Sequence, residues 1–226
     1  MIAIIDYDAG NLKNVENAFK KLGAESVITC DEQTILESEA VVLPGVGAFA
    51  ECMESLVKKG MDKVIKTCID SGKPFLGICL GYQLLFEYSE EDPKGLAKGL
   101  GIIKGKVKRF PEDAGLKIPH MGWNSLSFPK YCPLFDNLPR QLFTGLKSGS
   151  RFTNNTQSEG SYVYFVHSYY VEAEDRSVVA AITRYGIPFD AAVSKDNVYG
   201  TQFHPEKSGI VGMAILNNFL KVVRKV

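Results

Sequence analysis

Phe75-Leu76-Gly77-Ile78-Cys79-Leu80-Gly81-Tyr82-Gln83 begins as an apolar strand, passes through a Gly-X-Cys-X-Gly turn and runs into further apolar residues with helical character. Strand, tight turn and helix in that order form the context of a nucleophile elbow, here with Cys at the position Ser often takes. The turn admits only small residues two places to either side of the nucleophile, here Gly77 and Gly81. The sulfur then stands at the carboxyl end of a strand and the amino end of a helix, where the dipole and N–H groups favour the thiolate.

Working outward, the first half of the chain alternates short apolar runs with amphipathic stretches. Strands are expected near Ile2 to Asp6, Ser26 to Thr29, Ala40 to Leu43 and Phe75 to Ile78, with helices near Asn11 to Leu22, Ala48 to Lys59 and Met61 to Ser71. That alternation predicts a parallel sheet with crossover helices, an α/β fold, and ligands at the carboxyl ends of the strands. From about Ile102 the texture changes to strands punctuated by turns: Lys104 to Phe110, His120 to Phe128, Ser161 to Val171, Ser177 to Thr183, Phe189 to Ser194 and Val198 to Phe203. These read as antiparallel or mixed. A closing helix from about Gly209 to Lys225 carries Met213, Leu216, Leu220 and Val223 on one face. The span from about Pro139 to Gly160 is rich in Ser, Gly, Thr, Asn and charge, and is expected to be a surface insertion in a single domain covering 1–226.

A nucleophile needs a base and a group to orient that base. Gln202-Phe203-His204-Pro205-Glu206 offers both, because residues two apart in an extended segment point the same way and Pro205 keeps the segment out of a helix. Cys79 as nucleophile, His204 as general base and acid, and Glu206 holding the imidazole tautomer complete an acyl-transfer triad. For the oxyanion, Pro44-Gly45-Val46-Gly47 follows a buried strand with two glycines that let backbone N–H groups approach a substrate, so Gly47 and the N–H of Leu80 are the expected donors. His120 and His167 lack a carboxylate two residues on, which leaves His204 as the base. Cys30, Cys52, Cys68 and Cys132 read as small buried hydrophobes.

The 226 residues are 45% hydrophobic, enough for one substantial core. Lys and Arg balance Asp and Glu at 26 each, so composition gives no general attraction to nucleic acid or anionic membrane, and the basic run Lys104 to Arg109 reads as the solvated face of a strand. Five cysteines without Cys-X-X-Cys spacing and three histidines argue against a disulfide framework and a zinc site. Without a signal peptide or an apolar run of membrane length, the expected location is the cytoplasm. No metal or cofactor is expected.

Gly77-Ile78-Cys79-Leu80-Gly81 with Gln83, Pro44-Gly45-Val46-Gly47 and His204-Pro205-Glu206 together resemble the class I, or triad, glutamine amidotransferases. Pro119-His120-Met121-Gly122-Trp123-Asn124, Tyr164-Phe165-Val166-His167-Ser168-Tyr169 and Gln202 to Ser208 narrow the resemblance to the glutaminase subunits of imidazole glycerol phosphate synthases, across nearly the whole chain. The resemblance implies a flavodoxin-like fold, a mostly parallel central sheet flanked by helices with added antiparallel strands. It also implies hydrolysis of L-glutamine through a glutamyl thioester on Cys79. Ammonia would pass to a cyclase subunit, a (β/α)8 barrel forming a heterodimer with this chain, which makes imidazole glycerol phosphate and the aminoimidazole carboxamide ribotide. Secluded transfer keeps ammonia from being protonated in bulk water.

By the same resemblance Gln83, His167, Ser168 and Tyr169 bind glutamine, the last three largely through backbone groups, while His120, Trp123 and Tyr164 lie at the partner face near the ammonia path. The Gly45-Val46-Gly47 peptide would be a switch that turns one N–H toward the oxyanion. Three positions depart from the family pattern: Asp8 where glycine is usual, Tyr82 where methionine is common, and a longer segment near 139–160. The competing readings are an amidotransferase of the same class feeding another synthase, such as one aminating a surface sugar, a catalytically idle binding subunit, or a Cys hydrolase working alone. The intact triad opposes an idle subunit, and a lone hydrolase would need neither Glu206 nor the Pro-His-Met-Gly-Trp-Asn run.

Overall fold

The apolar runs of the first half fold as β1 (Ile2–Ile5), β2 (Ser26–Thr29), β3 (Ala40–Gly45) and β4 (Phe75–Cys79). Between them lie α1 (Leu12–Lys21), α2 (Glu32–Glu37), α3 (Phe49–Lys58) and α4 (Met61–Asp70). β1, β3 and β4 are buried along their whole length, which is why they read as continuous apolar runs rather than alternating ones. The α2 helix was not among the expected elements. Its six residues are too few to show a periodicity, and it is started by Asp31, whose carboxylate accepts from Thr34 N at 2.8 Å.

The computed structural model describes residues 1–92, 96–111, 115–138, 141–142 and 159–225. Most of the expected insertion at 139–160 lies outside them. After β4 comes α5 (Leu80–Gln83), a helix of a single turn, and then β5 (Phe86–Ser89), β6 (Ala97–Lys98) and β7 (Ile103–Arg109). The remaining elements are β8 (His120–Ser125), β9 (Gln141–Leu142), β10 (Glu159–Gly160), β11 (Tyr162–His167), β12 (Tyr169–Ala173), β13 (Val179–Tyr185), β14 (Ile187–Lys195), β15 (Val198–Thr201) and α6 (Gly209–Val223). The run expected as one strand from Ser161 to Val171 is broken at Ser168, and its two halves join different sheets.

The large sheet has the order β2-β1-β3-β4-β15-β14-β12-β7-β5-β6, with β13 paired to β14. β2, β1, β3, β4 and β15 run parallel, and β14 and β12 add antiparallel strands. The last strand in sequence is thus inserted beside the fourth. Its register sets Thr201 opposite Ile78, and Gly45 lies opposite Cys79 on the other side. β3, β4 and β15 therefore deliver their carboxyl ends to one place.

Two apolar layers cover the sheet. One holds Val15 and Phe19 of α1 with Val211, Ile215 and Phe219 of α6; the other holds Ile35, Phe49, Leu56, Val64 and Ile65 of α2, α3 and α4. The buried face of α6 is rotated from the expected one: Met213 and Val223 are only partly buried, while Asn218 turns inward and donates to Leu134 O at 3.1 Å and Asp136 O at 2.7 Å. Apart from the large sheet, β8 and β11 form an antiparallel ribbon with His120 opposite His167 and Trp123 opposite Tyr164. Alternation along β8 buries His120 and exposes Met121 by 59% and Trp123 by 38%.

Candidate active site

Cys79 occupies a backbone conformation that L residues avoid, with φ 56° and ψ −110°. A non-glycine residue held there costs of order 1–3 kcal/mol, and such strain collects at functional positions. Its surroundings leave the turn no alternative. A Cβ on Gly81 would meet Leu43 O at 1.8 Å, one on Gly77 would meet Gly81 O at 2.8 Å, and one on Gly45 would meet the Tyr7 hydroxyl at 2.6 Å. The glycines are thus required by backbone-to-backbone contact between β3, β4 and the elbow.

His204 follows the end of β15 and precedes a 3-10 turn at Pro205–Lys207. Its Nδ1 lies 2.8 Å from Glu206 Oε1, and both side chains are buried. Burial by itself lowers the pKa of His204, but the neighbouring Cys79 and Glu206 side chains outweigh that cost and raise it to about 10. With Nδ1 committed to Glu206, Nε2 is the nitrogen left for the sulfur side. It has no hydrogen-bond partner among the described residues, and neither has Glu206 Oε2.

Cys79 and His204 open onto a cavity of about 340 Å³ lined also by Val46, Gly47, Leu80, Gln83, His167, Ser168 and Tyr169. The structure therefore brings together both candidate oxyanion residues and all four candidate glutamine-binding residues. The N–H of Leu80 lies in the first turn of α5, where no intrahelical acceptor exists. Gly47 has φ +105°, a conformation open to glycine and strained for other residues. Gln83 Nε2 donates to Tyr169 O at 3.0 Å and to Gln202 Oε1 at 2.9 Å, so it is anchored in the wall rather than lying on a helix surface.

His120 and His167 are placed elsewhere in the chemistry. His167 Nδ1 donates to Tyr169 O at 2.7 Å, since a carbonyl can only accept, which leaves its Nε2 to accept from His120 Nδ1 at 2.9 Å. Both nitrogens of His167 are thereby used. Burial pushes the pKa of His167 down to about 3 and that of His120 to about 4. His120 is stacked between Phe165 and Tyr185, with ring centroids at 4.8 and 4.1 Å, so it is an internal residue and not part of an outer face. Trp123 and Tyr164 do share the outer face of the ribbon, ring edge to ring face with centroids 6.1 Å apart.

Glu91, Lys207 and Gln202, in or beside the cavity, were given no role of their own from the sequence. Glu91 lines it while accepting from Phe49 N at 2.7 Å; burial is the main cause that raises its carboxyl above the ordinary range. Lys207 also lines it, and the buried amide of Gln202 approaches Cys79 Sγ at 3.9 Å. Glu91 sits in the acidic run Glu87 to Asp92, which gives no sign of pointing inward.

The family model for class-I glutamine amidotransferases matches residues 3–223. The imidazole glycerol phosphate synthase subunit HisH of Geobacter metallireducens is 48% identical over 223 residues, 96% of each chain. The HisH subunit of Caldanaerobacter subterraneus subsp. tengcongensis is 48% identical over 224 residues, 99% of each. Among solved structures, a glutamine amidotransferase superposes with TM-score 0.70 at 17% identity, over 99% of this chain and 100% of that one. PurLQS from Thermotoga maritima gives 0.68 at 17% identity over 98% of each chain. At such identities the superpositions speak to fold alone, a central mostly parallel α/β sheet, whereas the family match spans nearly the whole sequence. The chain belongs to the class-I glutamine amidotransferase family.

Proposed function

We propose, from membership of that family, that this chain is the glutaminase subunit of an imidazole glycerol phosphate synthase and serves histidine biosynthesis. The observation that carries the reading is the left-handed Cys79 at the end of β4, one strand away from a buried His204–Glu206 pair at 2.8 Å. HisH relatives at 48% identity over full length support the choice of synthase.

Cys79, as thiolate, attacks the side-chain carboxamide carbon of L-glutamine. The oxyanion that develops lies between the N–H groups of Leu80 and Gly47, each donor being worth about 3 kcal/mol in the barrier. Protonated His204 gives its proton to the departing nitrogen, so ammonia leaves and a glutamyl thioester remains. The imidazole then takes a proton from water, the hydroxide equivalent displaces the sulfur, and glutamate is released. Glu206 holds Nδ1 through both steps and stabilises the imidazolium. Gln83, Ser168 and Tyr169 line the place for the amino-acid end of the substrate, with Glu91 supplying a carboxylate to face its ammonium group.

The partner in this reading is the (β/α)8 cyclase, in a heterodimer, docked on the ribbon face that carries Trp123 and Tyr164, with His120 internal to the ammonia path. The chain acts as one amidotransferase domain in the cytoplasm. The test is glutamate release from glutamine by the chain alone and mixed with a histidine-pathway cyclase, each with and without the ribulosyl substrate of the cyclase. Strong release in the complete mixture is expected. No release in any mixture overturns the reading.

A further inference from the structure

Ser208 precedes α6 at the position where a serine hydroxyl usually accepts from the first helical N–H groups. It makes no such bond. Fully buried, its Oγ instead donates to His204 O at 2.6 Å and accepts from Tyr164 N at 2.9 Å. The backbone of the same pair closes a second link, since His204 N donates to Tyr164 O at 3.0 Å. In an antiparallel ribbon the N–H and C=O of one residue point to the same side, and those of the residue two along point there too. On that edge of β11, Tyr164 carries the His204 turn and Val166 presents its carbonyl to Cys79 Sγ at 3.9 Å. One strand edge therefore touches both the base and the nucleophile, and the same strand carries the half-buried Tyr164 against the exposed Trp123.

We propose that Ser208 is a positioning residue that fixes His204 to the β8–β11 ribbon, so that where the ribbon sits decides how the base is aligned with Cys79. This deepens the glutaminase reading and rests on Cys79 and His204 being its working pair. The hydroxyl is suited to the task because it donates to one element and accepts from the other, which neither a donor nor an acceptor alone can do.

The test compares Ser208→Ala, Ser208→Cys and a control, Ser38→Ala, which removes a different buried hydroxyl bond, Ser38 Oγ to Ile35 O at 2.7 Å, away from the ribbon. His204 ring titration by NMR and thermal unfolding are read on the full chain, and glutamine kinetics on its complex with the cyclase. In Ser208→Ala the His204 midpoint should fall from about 10 toward its ordinary value, and kcat should drop about tenfold, a fraction of what a general base supplies, with KM little changed. Ser208→Cys keeps the shape with weaker hydrogen bonds and should fall between, which decides the matter if the alanine variant does not fold. Ser38→Ala should lower the melting temperature and leave the His204 midpoint in place. Ser208 variants that lose only melting temperature, as the control does, overturn the inference. Cys79→Ala run alongside separates the two failures: wild-type glutamate release from that variant sinks the glutaminase reading, while the His204 titration still judges Ser208.

Discussion

The nucleophile ends one strand and the base lies just past the end of the neighbouring one, yet they are held by different physics. Cys79 is fixed by backbone contact, in a turn where Gly77, Gly81 and Gly45 have no room for a Cβ. His204 lies beyond the end of its strand and is held by hydrogen bonds to a ribbon outside the large sheet. Close-packed backbone has no neighbouring arrangement to move to, whereas hydrogen bonds to a separate ribbon shift with that ribbon. On the positioning role proposed for Ser208, the pair thus has one rigid member and one adjustable member, and the adjustable one lies next to the face proposed for the partner.

The sharpest way to break this comparison is to remove the chemistry itself. Cys79→Ala should lower partner-stimulated glutamate release by on the order of 10⁶-fold, and Glu206→Gln, which orients rather than attacks, should lose roughly 100-fold less. The measurement is steady-state glutamate release by the complex, with ammonia-driven synthesis checked alongside and expected to survive both changes. Equal losses would mean that Glu206 does more than orient.

Next comes the rigidity of the elbow. Gly81→Ala drives a methyl into Leu43 O and should cost about 3 kcal/mol or more by urea unfolding, at the upper end for overpacked sites. A loss under 1 kcal/mol would show that β3 and the elbow can part, and the contrast between a stiff and an adjustable member would fail.

The histidines predict a stability curve with opposite slopes. His204 has a folded pKa of about 10, above its unfolded value near 6.5, so its contribution is complete below about 6.5 and is lost as pH rises toward 10. His167 and His120, held neutral by burial at about 3 and about 4, bind protons only in the unfolded chain as pH falls below 6.5, so they weaken the fold progressively down to those values. Their joint contribution therefore peaks near pH 6.5. Urea unfolding at several pH values checks it, and His204→Asn should flatten the alkaline limb while leaving the acid limb.

The smallest effect concerns the lining of the elbow. Tyr82 is fully buried, donates to Asp190 O at 3.0 Å and occupies the space where Gly200 lacks a side chain, since a Cβ there would lie 2.3 Å from its ring. Tyr82→Phe should cost about 1 kcal/mol, the net worth of one hydrogen bond, with glutamine turnover unchanged.

Much of this was legible in the residues because the decisive signals are local. Gly-X-Cys-X-Gly after an apolar run requires one backbone shape, and that shape is present; His-Pro-Glu does bring base and carboxylate together, but through a 3-10 turn that Pro205 starts rather than the extended segment expected, because a proline at the first helical position favours such a turn. The Asp8 departure also has a local reason: the residue sits at φ 68°, where glycine is at ease, and it is tied to Lys59 by an ion pair of 2.8 Å. What stayed hidden depends on distant partners. Nothing near Glu91 indicates that β5 will turn it into the cavity, and Ser208 resembles any helix cap until Tyr164 is seen beside it. Ser161 to Val171 reads as one strand because alternation cannot register that Ser168 passes the chain from ribbon to sheet. The elbow helix ends after one turn for a similar reason, since Phe86 to Ser89 pairs with β7 instead of continuing.

The most direct test of the Cys79–His204 site is the intact mass and peptide map of the chain after exposure to a glutamine analogue carrying an electrophile in place of its carboxamide. One adduct per chain, on Cys79, suppressed by glutamine and absent from Cys79→Ala, is the predicted result. An adduct on Cys30, Cys52, Cys68 or Cys132, or none under conditions where the complex hydrolyses glutamine, would contradict the assignment.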